Sequence, residues 1–146
     1  FVRYADDCNV YVKSPKAGER VLQALRGCYA KLALKVNESK TAVADVWGRK
    51  FLGYCFWATP QGEVRRAVSA QAMRKLRERL RLLTRRTKGC SLEQIAADLR
   101  GYAPGWKAYF GLAQTPRIMR DLDKWLRRRL RIQHAWRHDR CDGRRR

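Results

Sequence analysis

Two adjacent aspartates, Asp6 and Asp7, interrupt a run of strand-forming residues near the start of the chain. Residues that favour strands lie on both sides of the pair, in the stretches 1–4 and 9–12, and this spacing predicts a short β-hairpin. Two carboxylates this close repel each other, and a divalent cation would relieve the repulsion. Asp is also a good turn former. From these residues alone, a polar hairpin turn and a metal site both stay open.

Basic side chains recur at helical spacing in the second half of the chain. The stretch 117–131 holds seven Lys or Arg residues and two Asp residues. Solvated helix faces normally mix the two signs, because opposite charges at i,i+4 attract and like charges repel. Phosphate contacts would offset this repulsion through counterion release, and an anionic membrane surface is the less favoured alternative. The pattern predicts a nucleic-acid-binding surface made of Arg74, Arg77, Arg81, Arg85, Lys88, Arg117, Arg120, Lys124, Arg127, Arg128 and Arg131.

The composition agrees with a polyanionic partner. The chain has 146 residues and a net charge of +21, and 45% of its residues are hydrophobic, which is enough for a packed core. No signal peptide or spanning segment is visible, so a cytoplasmic location is expected. The five cysteines include no CxxC pair, which predicts reduced thiols. His134, His138 and Cys141 share a helical face, which leaves a zinc site open as a minor alternative.

The first 60 residues predict a mixed pattern of strands and one helix. Ser14 is a favourable N-cap and Pro15 a favourable first helical residue, so a helix is expected at about 16–32. Residues 1–60 carry a net charge of +5 and residues 61–146 a net charge of +16. The expected strands of the first part are 1–4, 9–12, 33–36, 42–47 and 51–57.

The second part predicts three helices. Ser69, Ser91 and Thr115 are favourable N-caps for them, and Ser91 with Gln94 makes a capping-box pattern. The first helix is expected to end near residue 88 and the last near residue 134. Pro104 removes a backbone donor, so a kink or break is expected in the second helix.

Several sequence blocks resemble one family. Tyr4-Ala5-Asp6-Asp7 resembles the Tyr-x-Asp-Asp motif of reverse transcriptases. The stretch LKVNESKT at 34–41 resembles the next block of the group II intron type, and FLGY at 51–54 resembles its primer grip. The second half resembles the thumb, or maturase-specific X domain, in LRGY at 99–102, GWKAYF at 105–110 and LDKWLRRRL at 122–130. All the blocks follow the family's order.

The resemblance implies an RNA-directed DNA polymerase that copies RNA into DNA in retrohoming and assists the splicing of its intron. Its partners would be group II intron RNA and an RNA/DNA template-primer. By resemblance, Asp6 and Asp7 are catalytic residues that hold Mg²⁺ in a two-metal site, and Lys40 is a catalytic residue near the triphosphate. The residues of the primer grip would be Phe51, Leu52, Gly53 and Tyr54.

The expected fold class is α+β, with a partial palm made of an antiparallel sheet and one helix, followed by an all-α three-helix thumb. The expected boundaries are 1–60 for the palm, 61–68 for a linker, 69–136 for the thumb and 137–146 for a basic tail. The fingers and a further metal-binding aspartate are expected to precede Phe1. The chain alone is therefore expected to bind nucleic acid, to hold Mg²⁺ weakly or not at all, and to lack catalysis. Two alternatives remain open: a non-catalytic RNA-binding module, and a homodimer formed through the open palm sheet.

Overall fold

A computed structural model of the chain describes residues 1–85 and 89–142, with the backbone alone for 136–142. The chain divides into two compact units, Phe1–Val46 and Trp47–Arg146. The described part is mixed α and β, with four helices and two small antiparallel sheets. No helix in this part is both long enough and apolar enough to cross a membrane.

The first unit contains a β-hairpin and one helix. Strands β1 (Val2–Tyr4) and β2 (Asp7–Asn9) pair antiparallel, which confirms the hairpin. The strand expected at 9–12 begins two residues earlier, so that Asp7 lies within β2. Helix α1 spans Pro15–Lys31, one residue from the expected bounds, because the Ser14 side chain accepts a hydrogen bond from the Ala17 N–H. At Gly18 the helix passes so close to Val43 that an added Cβ would lie 2.6 Å from a Val43 methyl carbon.

The strands expected at 33–36 and 42–47 are wrong. The first stretch contains no strand, and the second contributes no strand of either sheet. Short strands depend on a neighbour to pair with, and β-propensity alone does not provide one.

The second unit begins with a three-stranded antiparallel sheet, in the order β3 (Lys50–Phe51), β4 (Tyr54–Ala58) and β5 (Val64–Val68). The expected single strand at 51–57 is therefore a tight hairpin with its turn at Leu52 and Gly53. Residues 61–68, expected to be a linker, include β5. This strand pairs along the whole of β4 and completes the sheet.

Three helices follow, as expected: α2 (Ala70–Leu83), α3 (Leu92–Tyr109) and α4 (Pro116–Asp142). The Ser69 and Ser91 side chains each accept a hydrogen bond from the N–H three residues on, which confirms both caps. Helix α3 runs continuously through Pro104, so of the expected kink or break the structure excludes the break. Helix α2 ends earlier than expected and α4 ends later. Within the described part of the chain, the buried hydroxyl of Thr115 forms no hydrogen bond, so its expected capping role is wrong.

The hydrophobic core lies in the second unit. Val68 of β5 and Met73, Leu76 and Leu80 of α2 form its buried centre. Partly buried side chains of α3 and α4, and of Phe110 directly after α3, pack against this centre; those on the helices are Leu99, Tyr102, Trp106, Met119, Leu122 and Trp125. The buried faces of α2 and α4 leave their other faces free to carry charge.

Candidate nucleic-acid interface and carboxylate pair

The Asp6 and Asp7 carboxylates lie at the tip of the β1–β2 hairpin. Tyr4 pairs with Asp7, so Ala5 and Asp6 form a two-residue turn, with Ala5 at φ 49°. The Arg3 side chain donates a hydrogen bond of 3.0 Å to the Ala5 carbonyl oxygen and closes this turn. Both aspartates are exposed, and neither forms an ion pair within the described part of the chain.

The aspartate pair offers the type of ligand atom that a hard cation prefers, but it provides too few ligands for a two-metal site. Carboxylate oxygens are preferred ligands of Mg²⁺, and adjacent positions at a hairpin tip can offer two of them. Within the described residues, however, no group of three or more His, Cys, Asp and Glu side chains lies together as a metal site would require. A two-metal site here needs a ligand beyond this pair. The side chains of His138 and Cys141, from the minor zinc alternative, lie outside the described residues.

Lys40 lies in a polar turn of the first unit. The Lys40 N–H and the Thr41 N–H both donate to the Asn37 carbonyl oxygen, at 3.1 and 3.0 Å. Arg26 of α1 donates from Nε to Glu38 at 3.2 Å and thereby ties this turn to the helix. The same hydrogen bond raises the pKa of Arg26. Lys40 is exposed, and within the described part it forms no ion pair with the aspartates.

Residues Phe51–Tyr54 form the turn of the β3–β4 hairpin. Leu52 and Gly53 have φ values of 51° and 80°, the left-handed pair that a two-residue hairpin turn requires. The Ser69 N–H donates to the Gly53 carbonyl oxygen at 2.8 Å, which joins the turn to the start of α2. The glycine is thus required by backbone conformation, because its φ lies in the left-handed region.

Two tyrosines lock this turn to the end of α3 by reciprocal hydrogen bonds. Tyr54 Oη donates to the Tyr109 carbonyl oxygen at 2.6 Å, and Tyr109 Oη donates to the Leu52 carbonyl oxygen at 3.1 Å. Phe110 fills the space beside them, with its ring centroid 5.3 Å from that of Tyr54. Nothing in the spacing of the two motifs indicated this contact, because 55 residues separate Tyr54 from Tyr109.

The predicted basic residues of α2 and α4 are exposed wherever the structure describes them, and Lys88 lies outside the described residues. Within the described part of the chain, most of them form no ion pair with a carboxylate. The exceptions are Arg74, with its Nε 4.0 Å from Glu78, and Arg127, with its Nε 2.7 Å from Asp123. The exposed set is Arg74, Arg77, Arg81, Arg85, Arg117, Arg120, Lys124, Arg127, Arg128 and Arg131.

One arginine, Arg129, was missing from the predicted set. It is half-buried, and it donates to the Thr84 side chain and carbonyl oxygen at 3.0 and 3.3 Å. Its guanidinium carbon lies 5.2 Å from the ring centroid of Trp125. In the sequence it differs in no way from Arg127 and Arg128, and only its phase on the helix, shared with the inward-facing Trp125, could have indicated its different role.

Two family models match the chain. The model described as Reverse transcriptase (RNA-dependent DNA polymerase) matches residues 1–56. The model described as Group II intron, maturase-specific domain matches residues 73–146, half of the chain. Comparison with curated proteins gave no match. The first match includes the aspartate pair and the Phe51–Tyr54 turn, and the second includes nearly all of the three helices. The resemblance found in the sequence is confirmed, and the chain belongs to the family of group II intron reverse transcriptases and maturases.

Proposed function

We propose that this chain is a nucleic-acid-binding part of a group II intron reverse transcriptase/maturase, with palm residues in 1–60 and a helical thumb in 69–136. Its partners are intron RNA and an RNA/DNA template-primer. One observation carries the proposal: the basic side chains of α2 and α4 are exposed, while the opposite faces of the same helices form the core. This arrangement presents guanidinium groups on a rigid support.

The charge balance of this surface favours phosphate as its ligand. Acidic side chains compensate Arg74 and Arg127, and such exposed pairs contribute little to stability. The remaining like charges repel one another along the helices, at a cost of a few tenths of a kcal/mol for each i,i+4 pair. Binding to a phosphate backbone converts that cost into affinity, because the bound counterions of the nucleic acid are released.

Asp6 and Asp7 are the proposed Mg²⁺ ligands of the polymerase. Bound Mg²⁺ would polarise the attacking and leaving oxygens of nucleotidyl transfer. The hairpin holds two carboxylates at an exposed tip, where a primer terminus can reach them, and Lys40 is proposed to contact the triphosphate. The Phe51–Tyr54 turn, fixed to α3 by Tyr109, is the proposed primer grip.

The binding proposal is tested by the salt dependence of affinity for an RNA/DNA hybrid. If the surface makes six or more phosphate contacts, raising the salt concentration from 50 to 200 mM should weaken binding on the order of a thousandfold. Fluorescence anisotropy with a labelled hybrid measures this directly. An affinity that stays constant over the same range would contradict the electrostatic account.

A non-catalytic RNA-binding module is the second candidate. It is favoured by the lack of a third carboxylate near Asp6 and Asp7 within the described residues. We expect the 146-residue chain alone to bind nucleic acid without extending a primer. Primer extension that disappears in Asp6→Asn would instead show that another carboxylate completes the site, for example one from a second copy of the chain.

A further inference from the structure

An open cleft of about 480 Å³ lies beside the C-terminal part of α2, where Arg129 of α4 faces it. This volume is far larger than one ion needs, and the cleft is open to solvent rather than enclosed. Its walls carry three guanidinium groups and a single carboxylate. The lining residues are Glu78, Arg81, Leu82, Arg85 and Arg129.

One wall of the cleft is a fixed guanidinium plane. Two hydrogen bonds to Thr84 hold the Arg129 side chain in place, and its guanidinium carbon lies 5.2 Å from the centroid of the Trp125 ring. Arg81 approaches the same ring, with its guanidinium carbon 5.8 Å from the centroid. Capping the C-terminal end of α2 explains the contacts of Arg129 with Thr84. It does not explain why two further arginines face the same cleft.

The other walls differ in chemistry. Arg81 and Arg85 are exposed cations that can close on a phosphate group from two sides. Leu82 lies between them in the sequence and is 54% exposed, an apolar side chain at the edge of a basic cleft. Cationic groups can bind the phosphate of an unpaired nucleotide, and a guanidinium plane and an apolar side chain can contact its unstacked base.

We infer that this cleft holds one unpaired nucleotide of a bound strand. Its phosphate lies between Arg81 and Arg85, and its base lies against the Arg129 plane and Leu82. The inference rests on the proposed function and adds a preference for strands with an unpaired nucleotide over fully paired duplexes, because a fully paired duplex has no free base to place in the cleft. The phosphate and base contacts assigned here are common to both polymers, so this chemistry is shared by RNA and DNA.

The test compares a fully paired RNA duplex with the same duplex carrying a single-nucleotide bulge. The wild-type chain should bind the bulged form about tenfold more tightly, the value of one stacked base. Leu82→Ser should remove this preference and leave affinity for the paired duplex unchanged. Leu112→Ser is the matched control, because Leu112 is 62% exposed and does not line the cleft. Circular dichroism of each variant checks the fold.

Arg129→Lys gives an independent readout, because it keeps the charge and removes the plane. The bulge preference should fall while the salt dependence of duplex binding stays the same. The same pair of oligonucleotides made as DNA should give the same pattern, and a preference seen in one polymer alone assigns the cleft to that polymer. Equal binding of paired and bulged forms by the wild-type chain would overturn the inference and leave the proposed function standing. Failure to bind either form would refute the proposed function itself.

Discussion

Replacing Gly53 by Ala should destabilise the second unit through two separable effects. Gly53 has φ 80°, and an L-residue in the left-handed region costs about 1–2 kcal/mol. The new Cβ would also lie 3.0 Å from two ring carbons of Phe110, closer than an ordinary carbon–carbon contact. Phe110 cannot move away freely, because Trp106 and Tyr109 pack against it with centroids 4.5 and 4.8 Å away. Overpacking of this kind adds about 1–3 kcal/mol.

The expected total loss is therefore about 2–5 kcal/mol. Gly62→Ala is a matched control, because Gly62 has φ 85° and no atom within 4 Å of an added Cβ. It should lose the backbone part alone, about 1–2 kcal/mol. Urea unfolding, monitored by far-ultraviolet circular dichroism, measures the free energy of unfolding of both variants. The comparison is valid if this free energy depends on urea concentration with the same slope in each.

A double-mutant cycle with Phe110→Leu isolates the packing part. The smaller side chain makes room for the Cβ, so Gly53→Ala in that background should cost the same as Gly62→Ala. Equal losses for Gly53→Ala and Gly62→Ala in the wild-type background would refute the reasoning. That result would mean the turn moves away from α3 without resistance.

Three further predictions concern α4. Replacing Arg120, Arg127 and Arg131 together by Glu should abolish nucleic-acid binding in an anisotropy assay and leave the circular dichroism spectrum unchanged. Unfolding of this variant would show that these residues do not lie on the exposed face. Trp125→Ala should destabilise by about 3 kcal/mol in urea unfolding, at the low end for a large aromatic because the ring is partly exposed, and an unchanged midpoint would contradict its place in the core. Gln133→Leu should stabilise by about 1–3 kcal/mol in the same assay, because both polar atoms of this 1% exposed side chain lack a hydrogen-bond partner among the described residues, and a loss of stability would reveal one.

The helices could be predicted closely because their signals are local. A serine N-cap determines where a helix begins through a contact only three residues along the chain, and Ser14, Ser69 and Ser91 all cap helices as expected. The inward face of α2 also follows from spacing alone. On α4 the helical spacing predicts an inward face made of Ile118, Leu122, Trp125 and Ile132. Leu122 and Trp125 do pack on the core, but Ile118 and Ile132 are 37% and 42% exposed, and Met119 packs there in their place.

The strands and the tyrosine lock could not be predicted in the same way. β5 forms because β4 lies beside it, and its sequence, with two adjacent arginines, has little apolar alternation. The Leu52–Gly53 turn was hidden because Leu rarely adopts positive φ. The aspartate pair was found by resemblance to a motif, and its hairpin is confirmed, while its role stays a prediction.

The reciprocal tyrosines have a consequence for how this protein can be recombined. Tyr54 belongs to the region that matches reverse transcriptases, and Tyr109 belongs to the region that matches maturase-specific domains. A chimera that joins the first region of one relative to the second region of another divides this pair between two parents. Such hybrids should retain a fixed turn only where both parents carry a compatible partner, so the boundary between the two family regions is not a neutral point of exchange.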